Sequence, residues 1–226
     1  MLGLMLLADS RLPSGGHGHS GGVEALVDRG LLRTTDDLAL FLAGRVRTGG
    51  QVPAAAAAAA CVLAVTPDPR WGRWDGAVGA RMPSAALRAA SCAQGVALLR
   101  TVALAWPGPA VDALRALPRV HHPLVLGVAA AAAGATLEQA AGLALHHLVG
   151  GACTAAVRLL GLDPLRVAAV AAAAGRDAEP VAAQAAIAAA TAVAADDPTL
   201  LPTGGSPLTD VLAELHHRSE ATLFAS

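Results

Sequence analysis

The residues with the widest chemical range stand together near the front, in Ala8-Asp9-Ser10-Arg11-Leu12-Pro13-Ser14-Gly15-Gly16-His17-Gly18-His19-Ser20-Gly21-Gly22-Val23-Glu24. Ser20, with His17 or His19 and Asp9, has the residue types of a hydrolase triad. Residues so close in sequence do not easily reach triad geometry. The better reading makes Ser20 a helix cap and lets Asp9 and His19 bond the backbone. Metal ligation is the second chemistry. His17-Gly18-His19 puts two imidazoles two residues apart, and imidazole is a good ligand for transition metals. The other six histidines form the adjacent pairs His121-His122, His146-His147 and His216-His217. Neighbours on a helix point about 100° apart, so such pairs chelate poorly alone. In a symmetric dimer, equivalent histidines of two chains can converge near the axis. No dedicated metal site and no cofactor are expected; His17 and His19 are the candidate ligands.

These residues need a frame. An apolar run, Met1 to Leu7, leads into the stretch, and a helical pattern, Val23 to Val27, leads out. Five glycines within it can take positive φ and admit close neighbours. A slack linker would not need such variety, so residues 1–22 are expected to hold a shaped Gly/His loop segment. Gly16 is expected at positive φ, where valine would be strained.

All 16 basic residues are arginine. Without lysine there is no phosphate-loop lysine, no Schiff base and no lysine general base. The formal net charge of -1 and the lack of a basic stripe argue against nucleic acid. Cys61, Cys92 and Cys153 are far apart in apolar contexts with no CxxC spacing, which fits buried free thiols in a reducing compartment. The apolar runs Val52 to Thr66 and Leu124 to Leu137 fall short of a membrane span, and no positive leader precedes Met1 to Leu7. A cytoplasmic protein without membrane partners is expected.

Alanine dominates a composition that is 54% hydrophobic and only 2% aromatic, so the core must be built from small side chains on close helices. The expected fold is all-α, a single compact bundle of about ten helices over residues 1–226. Helix starts are marked at Thr34-Thr35-Asp36-Asp37, Pro53, Asp68-Pro69, Ser84, His121-His122-Pro123, Thr136-x-x-Gln139, Asp163-Pro164 and Glu179-Pro180. Trp71 and Trp74, three apart, read as core anchors. Residues 196–206 read as a Pro/Gly linker, and 207–226 as a C-terminal helix and tail. The tip Leu223-Phe224 suits docking.

The front motif Asp9-Ser10-x-x-Pro13-x-Gly15-Gly16-x-x-His19-Ser20-x-Gly22-x-Glu24 resembles the N-terminal signature of the urease accessory protein family UreF. His17 stands where that family usually has an aromatic. Arg88-Ala89-Ala90-Ser91-x-x-Gln94-Gly95-x-x-Leu98-Leu99-Arg100 is similar to a mid-chain helix of the family, and His122-Pro123-Leu124-x-x-Gly127 to a helix entry. Ala155-Ala156-Val157-Arg158-Leu159 resembles a later segment. The ending Leu223-Phe224-x-Ser226 looks like the family's, with Thr222 and Ala225 in place of two arginines.

The resemblance implies an all-α, homodimeric, non-enzymatic protein of nickel insertion. It would bridge UreD (also called UreH) and the GTPase UreG, so that nickel reaches apo-urease on GTP hydrolysis. Nickel would pass transiently through the complex. Asp9, Ser10, Pro13, Gly15, Gly16, His19, Ser20 and Glu24 would form a loop that partners read. Arg88, Ser91, Gly95 and Arg100 would make helix or subunit contacts, and Leu223, Phe224 and Ser226 tail contacts. The alternatives are a metallochaperone carrying nickel on His17 and His19, or a helical interaction protein unrelated to urease.

Overall fold

Capping chemistry fixes most of the helix starts. Thr34 accepts a hydrogen bond from the Asp37 amide, and the Asp37 carboxylate answers the Thr34 amide, opening α3 (Thr35–Arg47). Ser84 accepts from the Leu87 amide at the start of α6 (Ala85–Ala105). Thr136 and Gln139 form a second reciprocal cap before α9 (Leu137–Leu160). Asp163 accepts from the Leu165 amide at the head of α10 (Pro164–Ala194). The remaining helices are α1 (Leu2–Ala8), α2 (Val23–Asp28), α4 (Gln51–Leu63), α5 (Trp71–Ala80), α7 (Pro109–Arg115), α8 (His122–Ala132) and α11 (Pro207–His217). The computed structural model describes residues 1–218, and among them there are eleven α-helices and no strand. The chain is all-α, as its composition indicates. Leu223, Phe224 and Ser226 lie outside the described residues.

α4 is the buried axis. Ala54 to Ala60 are all fully buried, and α4 packs against α8, α9 and α10. Small side chains let these backbones approach. A Cβ added at Gly127 of α8 would run into the Ala57 carbonyl oxygen and lie 2.6 Å from the Ala60 Cβ. Gly95 of α6 meets the start of α8 equally closely; an added Cβ would strike the Val120 carbonyl oxygen and lie 3.0 Å from the His122 amide nitrogen. Trp71 and Trp74 are buried in the core. Cys61 and Cys153 are buried and Cys92 is half-buried; all three are free thiols whose pKa burial raises.

Several expectations need correction. Glu179-Pro180 does not start a helix: α10 runs through Pro180 without a break. Proline removes one amide donor and crowds the preceding turn, but packing of α10 on α3, α4 and α9 outweighs that local preference. The first eight residues of the loop segment contain α1, whose C-terminal end is bonded to α9. The Pro/Gly segment 196–206 contains a 3-10 turn, Pro198–Leu200. Arg81 at the end of α5 donates to the carbonyls of Pro198, Thr199, Leu201 and Pro202, so the segment is held. α9 is long and apolar enough to cross a membrane by length and composition, beyond the runs read from the sequence. Its packing against α4 and α10 explains its hydropathy, and 56% of that stretch is buried in the fold.

Candidate functional site

The front motif is folded by its own side chains. Arg11 donates to both carboxylate oxygens of Asp9 through its side chain, and its amide also bonds Asp9. Those bonds pull the Asp9 pKa down to about 2. The Thr101 hydroxyl of α6 holds the Pro13 carbonyl at 2.7 Å. Gly15 takes φ 78°, and a Cβ there would lie 2.9 Å from the Ala97 Cβ. Gly21 and Gly22 are also left-handed. Gly16 is not: it opens a 3-10 turn, Gly16–Gly18, and an added Cβ would meet only the Ser14 hydroxyl at 3.6 Å. The strained glycine of the pair is therefore Gly15, because it makes the turn into the 3-10 segment.

Ser20 is not the formal cap of α2; that position falls to Gly22. Its buried hydroxyl still accepts from the Glu24 amide at 3.3 Å. Glu24 is buried too, and its carboxylate lies 3.2 Å from His216 Nε2 on α11. Ser20 and Glu24 thus hold the loop from behind, while Ser10, Pro13 and Gly16 face outward. The Asp9, His19 and Ser20 side chains form no triad: the carboxylate of Asp9 bonds Arg11 and the hydroxyl of Ser20 bonds a backbone amide.

This loop is one wall of a cleft of about 490 Å³. Asp9, Ser10, Ser14, Gly16 and His19 line it from the front. Phe41 and Arg45 of α3, Ser91 and Gln94 of α6, and His122 of α8 line it from the body. His146 and His147 of α9 complete it. Nε2 of His147 lies 2.7 Å from the Leu7 carbonyl oxygen, and Nε2 of His146 lies 3.0 Å from that of Ala8. A carbonyl only accepts, so each Nε2 carries a hydrogen, and the neutral His147 ring keeps a lone pair on Nδ1. The His122 and His147 rings are 5.7 Å apart between centroids. Burial, with the neighbouring imidazole adding to it, pulls His122 down to about 3, and burial also lowers His147. Neutral imidazoles with free Nδ1 atoms can accept hydrogen bonds or bind a transition metal.

The sequence did not bring these four histidines together. His19 comes from the front loop, His122 from α8 and the pair His146-His147 from α9, and their meeting is set by packing. His17 falls in the 3-10 turn, and its side chain lies outside the described part of the structure. Among the described residues, no group of three or more His, Cys, Asp or Glu side chains is arranged to hold a metal ion.

The mid-chain motif faces inward. Ser91 is buried and its hydroxyl lies 3.1 Å from His121 Nδ1. Arg88 donates to the Pro83 carbonyl at 2.9 Å and to that of Met82, fixing the turn before α6. Ser91 and Gly95 make helix contacts within the chain, and Arg100 is exposed. Burial lowers His121, whose ring lies 3.6 Å from the Cys92 sulfur.

Comparison with known proteins follows the same lines. A family model described as UreF matches residues 32–175. The "Urease accessory protein UreF" of Mycobacterium sp. (strain JLS) is 42% identical over 223 residues, 99% of this chain and 97% of that one. Those of Mycolicibacterium vanbaalenii and Mycobacterium marinum are 41% and 40% identical over the same shares. The family match begins after the front loop, whereas similarity to these relatives takes it in. They are named as accessory proteins and not as enzymes, which supports a non-enzymatic role. With a lysine-free bundle, a front loop fixed into a cleft wall and relatives matched almost end to end, the chain belongs to the UreF family of urease accessory proteins.

Proposed function

We propose that the chain is a non-enzymatic scaffold in urease maturation that bridges UreD (UreH) and the GTPase UreG. It acts in the cytoplasm as a homodimer, and nickel is cargo that passes through the complex into apo-urease. Without lysine the chain has no phosphate loop, so the nucleotide belongs to a partner. The observation that carries the reading is the front motif: its backbone is locked from behind by Thr101, Ser20 and Glu24, while Ser10, Pro13 and Gly16 stay outside. Such a loop presents a fixed shape to a protein surface at little entropic cost on binding.

Co-purification of the chain with UreD and UreG tests it. The native chain should retain both, and Gly15→Val should lose them while remaining folded. Full urease activation in cells lacking the chain would overturn the proposal. A second reading, direct carriage of nickel, is favoured by the four imidazoles along the cleft. Equilibrium dialysis of the isolated chain separates the two: stoichiometric sub-micromolar nickel binding supports carriage, and its absence supports the scaffold. Family membership sets aside a helical protein unrelated to urease.

A further inference from the structure

Among the described residues, Arg45 of α3 is a half-buried cation with no bonded anion. Its guanidinium lies over Gly49, where an added Cβ would be 2.7 Å from Nη1 and 3.5 Å from the Ser206 Cβ. It borders the cleft described above and also a separate groove of about 320 Å³ between α2, α3 and the start of α11. Among the described residues it makes no hydrogen bond and no ion pair within 4 Å. The charge that acts on it is the Asp210 carboxylate, through space. Burial lowers the Arg45 pKa, so the cation is held in surroundings that disfavour it.

A guanidinium has five donors in a planar fork, and desolvating it without an acceptor is unfavourable. Residues that weaken the free fold in this way mark places where a ligand supplies what is missing. The surroundings narrow the ligand. α11 begins beside the guanidinium with no side-chain cap, which adds positive potential. At the rim, Leu40 is 75% exposed and Leu208 is 59% exposed, and the half-buried Phe41 lines the same groove. A hydrated inorganic ion gains nothing from an apolar rim. A carboxylate carried on a protein side chain, flanked by apolar neighbours, fits both the fork and the rim.

We propose that the Arg45 guanidinium, set over Gly49 beside the start of α11, receives a carboxylate side chain from a partner urease accessory protein. This rests on the scaffold reading and adds the chemistry of one contact to it. Arg45 is then an anchor whose bonds are completed only in the complex.

The test compares the native chain with Arg45→Met, Gly49→Ala and Leu40→Glu for binding to purified UreD and to purified UreG, alongside thermal melts. Arg45→Met removes the charge and keeps the stem. It should weaken one of the two partners at least about 30-fold, the low end for losing one side of a buried charge pair, with an unchanged or raised melting temperature. Gly49→Ala displaces the guanidinium, and Leu40→Glu sets a like charge against the incoming carboxylate; each should weaken the same partner. Native-like binding by all three variants overturns the proposal. So does a lowered melting temperature of Arg45→Met with normal binding, since Arg45 would then serve Asp210 inside the fold. Failure of the native chain to bind either partner would instead remove the scaffold reading itself.

Discussion

At the scale of single residues, the front motif divides into positions that make the loop and positions that face outward. Gly15 belongs to the first group, because it is left-handed and lies against Ala97. Gly15→Val should lower stability by about 1–3 kcal/mol, whereas Gly16→Val should stay within about 0.5 kcal/mol. Paired urea titrations check this, and equal losses would contradict the structure. The sequence made both glycines conspicuous, yet φ is set by where the chain must turn, so it could not tell them apart. The cleft histidines give a second prediction. His122 titrates near 3 in the fold against an ordinary 6.5. Between those values the unfolded chain binds a proton that the folded chain refuses, so stability rises with pH and falls on acidification. The slope is at most about 1.4 kcal/mol per pH unit for one such group. His122→Gln should therefore lose less stability than the native chain between pH 7 and pH 5. An identical acid loss would show that other groups carry it.

Helices were legible where their ends are written in side chains. Thr34, Ser84, Thr136 and Asp163 each bond the amide that their spacing implies. Legibility failed where tertiary packing overrides local preference. Pro180 has the local signature of a start but lies inside α10. Its ring removes a hydrogen bond from a helix interior. Pro180→Ala should accordingly raise the midpoint of thermal unfolding, by an amount on the order of 1–3 kcal/mol in stability. A fall would mean that the ring's shape matters to packing more than the bond it removes. The left-handed backbones of Asp68, Arg70 and Asp196 were likewise unreadable. Arg70 and Arg73 both pair with Asp196, and these contacts join stretches far apart in the chain. The same holds for the cleft, whose histidines come from the front loop, α8 and α9. Its front wall was visible as a run of special residues; its back wall was not.

At the scale of the whole molecule, the alanine-rich composition became a core in which backbones nearly touch. α4 carries seven consecutive fully buried alanines between α8, α9 and α10. Ala57→Leu should destabilise the fold by about 3 kcal/mol or more, because the interior has no room for three extra carbons. Chemical denaturation measures that loss, and a neutral result would mean that α4 and α8 can part. The Gly127 contact carries the matter further. Elsewhere a protein interior drifts by trading one methylene against another, growing here and shrinking there. Along this seam the residues already stand at the bottom of the size scale. At 127 drift is closed, because the atom facing it is the main-chain carbonyl oxygen of residue 57, which every side chain at 57 would share. Glycine should therefore persist at 127 in related chains, and a designer who adds a methyl there must part α8 from α4.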